Sequence, residues 1–275
     1  MRKFFLVSVP YFLKRSALGP ESSLLRPVAR SGTPRIWRRA EGYSLTELLV
    51  AMVAGTVVLA ATIQSFQNFQ GRFLTQQAAA ARQQEARIGL AVLASELRQA
   101  GVGEEVLGPS LTVAKTDEIA FWANLGGLTT TLTTGAAAFE TELVVADASG
   151  WPKGKRVVVC GVVACQSTRL ARPGRRRGLS LAEPLGRAFP AGSEAVVANE
   201  VRYYMGKDET GRPRLMRMVD GVASTLIGDV ARFHLTYVGR DGRVTTDPAR
   251  VARVRLELAA GDGGSVIRQE VGLRT

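Results

Sequence analysis

From Leu48 to Ile63 almost every position is apolar, and no charged residue interrupts the chain from Leu48 to Gly71. No proline occurs between Ile36 and Gly108, so nothing prevents this stretch from forming one helix. A helix from Tyr43 to Ala100 would be roughly 87 Å long at ~1.5 Å per residue, well beyond the ~30 Å hydrocarbon layer of a bilayer. The first part, residues 43–63, is therefore expected to span a membrane, and the remainder to project from it. From Gln64 onward the pattern turns amphipathic, with Phe66, Phe69 and Phe73 followed by Ala86, Leu90, Leu93, Leu97 and Ala100. That spacing predicts a stripe that docks on a globular head. Gly101, Gly103 and Pro109 then mark the stop.

Beyond Pro109 the period shortens to two. Strands are predicted at 118–123, 142–146, 156–160, 168–170, 195–204, 214–219, 230–238, 251–258 and 265–273. Turn chemistry separates them at Gly206–Gly211, Asp241-Gly242 and Gly261–Gly264. Thr129–Thr134, between glycines, reads as an exposed loop or a β excursion. The fold class is thus α+β: a long N-terminal helix whose second half packs on an antiparallel, β-rich head at 101–275.

Charge orients this plan. Residues 1–42 hold nine Lys or Arg (Arg2, Lys3, Lys14, Arg15, Arg26, Arg30, Arg35, Arg38 and Arg39) against Glu21 and Glu41, a net of +7 out of +12 for the chain. Basic flanks stay in the cytoplasm, so the leader is expected inside and the head outside. The chain is therefore expected to cross the cytoplasmic membrane once, with the head outside the cytoplasm.

Against this background Glu47 is anomalous. A carboxylate at the mouth of an apolar run is costly in a membrane and is a functional hypothesis by default. The run Gly42-Tyr43-Ser44-Leu45-Thr46-Glu47-Leu48-Leu49-Val50 resembles the N-terminus of type IV prepilins and the related pseudopilins: Gly, an aromatic, a short stretch ending in Glu, then Leu-Leu-Val. The resemblance implies cleavage by prepilin peptidase between Gly42 and Tyr43, removal of the 1–42 leader and N-methylation of Tyr43. It also implies assembly through Glu47, whose carboxylate would pair with the Tyr43 ammonium of a neighbouring subunit. Either charge alone is too costly to bury, whereas a pair is tolerable. The rival is an ordinary signal anchor in which Glu47 marks only the interface.

The ending Glu96-Leu97-Arg98-Gln99-Ala100-Gly101 resembles PilW-type minor pilins, and less closely the pseudopilins of type II secretion. The expected function is a non-catalytic minor pilin acting in pilus assembly, initiation or the tip. A secretion pseudopilin is the alternative within that architecture, and a signal-anchored extracytoplasmic enzyme or binding protein the alternative from another class. Implied partners are prepilin peptidase, other pilins and the inner-membrane assembly platform. No cofactor and no metal are expected.

Three features of the head bear on chemistry. Cys160 and Cys165 are the only cysteines, and outside the cytoplasm a disulfide closing a tight hairpin is the first reading, against free thiols or metal ligands. Two cysteines and one distant histidine do not make a structural zinc site. His234 is the sole histidine and no Gly-x-Ser-x-Gly surrounds any serine, so a strand histidine on a polar face is favoured over a catalytic base. Arg172, Arg175, Arg176 and Arg177 form the one concentrated basic run outside the leader. They read either as a solvated loop or as a contact for phosphates of DNA or acidic polymers.

Overall fold

The computed structural model describes residues 42–261 and 264–274; the basic leader, apart from Gly42, lies outside the described residues. The chain separates into two compact units at Ala60/Ala61. One helix, α1 (Leu45–Leu97), runs unbroken for 53 residues and crosses that boundary. It is long and apolar enough to cross a membrane. Ser44 opens it as the N-cap, its Oγ accepting the Glu47 N–H at 3.2 Å, and the Glu47 carboxylate in the first turn complements the helix dipole. At the other end the chain tightens into i→i+3 bonds, with Gln99 N donating to Glu96 O and Ala100 N to Leu97 O. Gly101, at φ 103°, then breaks away. The helix therefore stops three residues before the expected Ala100.

A short helix, α2 (Glu104–Leu107), leads into the strands β1 (Leu111–Ala114), β2 (Glu118–Ala123), β3 (Thr129–Thr131), β4 (Glu142–Val144), β5 (Arg156–Cys160), β6 (Cys165–Arg169) and β7 (Gly178–Ser180). They are followed by β8 (Glu194–Lys207), β9 (Pro213–Val219), β10 (Val222–Ile227), β11 (Val230–Gly239), β12 (Val251–Ala260) and β13 (Ile267–Gly272). Among the described residues all strand pairings are antiparallel. β8 is the spine of the largest sheet, bonding β3 and β5 along its first half and β2 and β9 along its second. A three-stranded sheet, β11-β12-β13, and the pair β4-β7 complete the β structure. An α+β layout, with a long apolar helix followed by an antiparallel β head, is thus the observed fold class.

Two apolar cores lie in the unit that begins at Ala61. In the first, Ala86, Leu90, Leu93, Ala94 and Leu97 of α1 meet Phe121, Val201, Tyr203, Leu215, Ile227, Leu235 and Leu256. Each fully buried leucine there is worth about 2 kcal/mol. The helix approaches β10 closely at Gly89, where a Cβ would collide with the buried Ile227 side chain. In the second core, Val157, Val159, Ala195 and Val197 pack on Leu143, Trp151, Leu170, Leu179 and Phe189.

The phenylalanine trio departs from expectation. Phe66, Phe69 and Phe73 do not dock on the head but stand 61%, 67% and 54% exposed. Burial on α1 begins only at Ala86. Thirteen residues of helix from Phe73 to Ala86 amount to roughly 20 Å of rise, which puts the trio out of reach of the residues that form the core.

Candidate functional site

Three places carry the chemistry singled out in the sequence. At the start of α1, Gly42, Tyr43 and Ser44 precede the first turn outside any regular element, and Tyr43 is 83% exposed. Ser44 Oγ also lies 2.8 Å from Thr46 Oγ1. Among the described residues the Glu47 carboxylate makes no hydrogen bond and no ion pair. The Ser44-x-x-Glu47 spacing is also a helix-start signature, of which only the Ser44 half is made, its Oγ capping the Glu47 N–H. Beyond Glu47 the large apolar side chains from Leu48 to Leu74 are all exposed.

The opposite end of the same helix holds a carboxylate of the contrary kind. Glu96 is buried on the face that carries Leu93 and Leu97. Arg217 of β9 grips it with both arms, Nη2 donating to Oε1 at 2.5 Å and Nε to Oε2 at 3.0 Å. Tyr203 of β8 donates its hydroxyl to Oε2 at 2.5 Å. Burial, then the Glu96 carboxylate, push the Tyr203 hydroxyl up, and the Glu96 hydrogen bond pushes the Arg217 guanidinium up. The bonds lock helix to sheet. A polar rim extends the seam, with Arg82 paired to Asp229 at 2.9 Å, Gln83 Nε2 donating to Ser265 Oγ and Gly228 N donating to Glu85 Oε1. In the sequence Glu96 figured only as part of the helix ending, with no partner assigned; the available signal was an acid beside an apolar stripe.

In the head, Cys160 and Cys165 are disulfide-bonded, with Cα atoms 4.1 Å apart, at the end of the β5-β6 hairpin. The bond leaves Val162 and Val163 at the tip, 97% and 94% exposed. His234 sits half-buried on β11 opposite Glu257 of β12. Its core-facing strand neighbours are Phe233 and Leu235. Among the described residues no serine or cysteine is bonded to it. Among the described residues no group of three or more His, Cys, Asp or Glu could hold a metal ion.

The four arginines are exposed, yet their backbone is tied down. Arg175 and Gly178 exchange hydrogen bonds, Gly174 N donates to Trp151 O at 2.9 Å, and Ala148 N and Val145 N donate to the carbonyls of Arg175 and Arg177. Gly174 is required for this seat, since a Cβ would press on Ala148 and come 2.9 Å from Trp151 Cβ. Arg176 faces Asp147, whose carboxyl is held below the usual range chiefly by hydrogen bonds from Ser149, with Arg176 adding to the effect. No family model matches the chain, and no curated protein matches it.

Proposed function

We propose that this chain is a minor type IV pilin: a non-catalytic subunit cut by prepilin peptidase between Gly42 and Tyr43, methylated on Tyr43, and assembled through its N-terminal helix. The observation that carries this reading is the long bare apolar stretch of α1, headed by a lone unpartnered carboxylate five residues after Gly42. Soluble monomers rarely expose contiguous apolar surface on this scale, so the stretch needs a cover. A bilayer provides one before assembly and neighbouring helices provide one after it. Moving between the two covers exposes no apolar surface to water.

Glu47 supplies the register. Lipid cannot satisfy its charge, whereas the Tyr43 ammonium of an adjacent subunit can, so pairing favours one axial stagger over others. The head, fixed to the C-terminal part of α1, would form the outer contacts and involve the assembly platform and other pilins as partners. The chain would sit in the inner membrane, head outside the cytoplasm, until it joins a filament.

The test is a Glu47→Ala substitution in cells that make the filament. Leader cleavage should proceed as in wild type while the subunit disappears from sheared surface filaments; normal incorporation would contradict charge pairing. Loss of protein secretion with surface filaments intact would instead assign the chain to a type II secretion pseudopilus.

A further inference from the structure

The basic hairpin at Arg172–Arg177 has no part in the assembly reading and stands independently of it. Arg172, Arg175 and Arg177, with Pro173, Ser180 and Glu142, line one open cleft of about 490 Å³. Among the described residues none of these three guanidinium groups forms an ion pair or a hydrogen bond. Glu142, the one acid in the cleft, already accepts from Ser180 Oγ at 2.7 Å. Three guanidinium groups without an ion-pair partner thus share the cleft with one carboxylate, leaving positive charge in excess, and its backbone is pinned to the 145–151 segment, so little loop entropy is lost on capturing an anion. Guanidinium forks match phosphate oxygens in paired hydrogen bonds. Among the described residues no aromatic ring lines the cleft, and Trp151 beneath the hairpin is buried. A surface without a stacking platform is poorly suited to single-stranded bases. A helical backbone of regularly spaced phosphates needs no such platform.

We propose that this cleft is a phosphate-binding site that takes the backbone of double-stranded nucleic acid without regard to sequence. Binding would follow counterion release, with each phosphate neutralised adding about 0.9 to the slope of log affinity against log salt.

The experiment is a salt titration of a fluorescent random-sequence duplex against the full-length chain in detergent micelles, comparing four proteins. Wild type should bind with a steep slope. The triple variant Arg172→Ser/Arg175→Ser/Arg177→Ser should lose about 2–3 from the slope and roughly tenfold or more in affinity at low salt. Arg172→Lys/Arg175→Lys/Arg177→Lys keeps the charge and should retain most of the slope. Arg240→Ser/Arg243→Ser/Arg250→Ser removes the same charge from a different cleft and should bind as wild type does. The basic residues of 1–42 are common to all four, so only the differences count. The three side chains are exposed and unpartnered, so near-ultraviolet circular dichroism should show each variant folded. Unchanged binding by the first variant overturns the site. So does an equal loss in the Arg240 series, which would reduce the effect to net charge. Equal competition by polygalacturonate, which has carboxylates but no phosphates, likewise overturns phosphate recognition, whereas inorganic phosphate competing at millimolar concentration supports it.

Discussion

Two of the three carboxylates on α1, Glu47 and Glu96, have opposite fates. Glu96 lies in a seam of leucines and is held by Arg217 and Tyr203, so its desolvation is offset within the chain. Glu47 heads an apolar stretch with no partner among the described residues. The side chains around them differ in the same way: Leu90, Leu93 and Leu97 are 0–1% exposed, whereas Leu48, Leu49, Val57 and Val58 stand more than half exposed. Backbone geometry does not distinguish the two ends, since both belong to one unbroken α-helix. What differs is the company each end keeps. The apolar face of the C-terminal end is covered within the chain, whereas that of the N-terminal end is left exposed among the described residues.

Substitutions at matched positions should separate these ends. The largest effect belongs to Glu96→Ala, which strands a partly buried Arg217 and a buried Tyr203 hydroxyl. About 3–5 kcal/mol of stability should be lost, read from denaturant unfolding of the full chain in micelles by near-ultraviolet circular dichroism. Glu47→Ala should leave that unfolding curve unchanged. Next, Leu93→Ala opens a cavity in the first core and should cost about 3 kcal/mol. Phe69→Ala, in the bare stretch, should stay within about 0.5 kcal/mol for the isolated subunit yet reduce its recovery in filaments. A destabilising Phe69→Ala would erase the distinction between the two ends.

Smaller effects test the head. Replacing Cys160 and Cys165 by serine should cost about 2 kcal/mol, the chain-entropy value for so short a loop, measured as a lower unfolding midpoint. Smallest is the acid limb of stability at Asp220. Burial pushes its carboxyl up, but hydrogen bonds from Lys155, Asn199 and the Glu200 N–H outweigh burial and hold it below the ordinary 3.8. The folded protein therefore binds this proton less readily than the unfolded chain. Its contribution is complete above the ordinary value and is lost as pH falls through the depressed one. Asp220→Asn should be less stable than wild type at neutral pH and converge toward it in acid. A constant difference across that range would show that the ionised carboxylate is not what matters.

The helix, and strands such as β2 and β5, were legible because local signals and burial agree there. β2 buries Ile119, Ala120, Phe121 and Ala123, and β5 buries a run of three valines. β10 was missed because Val222–Thr225 is exposed on the edge and shows no apolar alternation. The hairpin it forms with β9 was nonetheless signalled by Asp220-Gly221, whose φ values of 51° and 86° suit a tight turn. β7 is three residues long and owes its place to pairing with β4. The phenylalanine trio misled because period alone does not say where a partner surface begins. Of the candidate site, the Glu47 anomaly and the cysteine pair were visible from residue types and spacing. Glu96 needed the fold, because its partners lie more than 100 residues away in sequence.

The central claim is that the bare end of α1 belongs to a processed, assembling subunit. Its most direct test is intact-mass and N-terminal sequence analysis of the full-length chain after co-expression with a prepilin peptidase. A chain that begins at Tyr43 with its amine methylated is the predicted result. An uncut chain, or one cut elsewhere than after Gly42, would contradict the account and leave α1 as a simple membrane anchor.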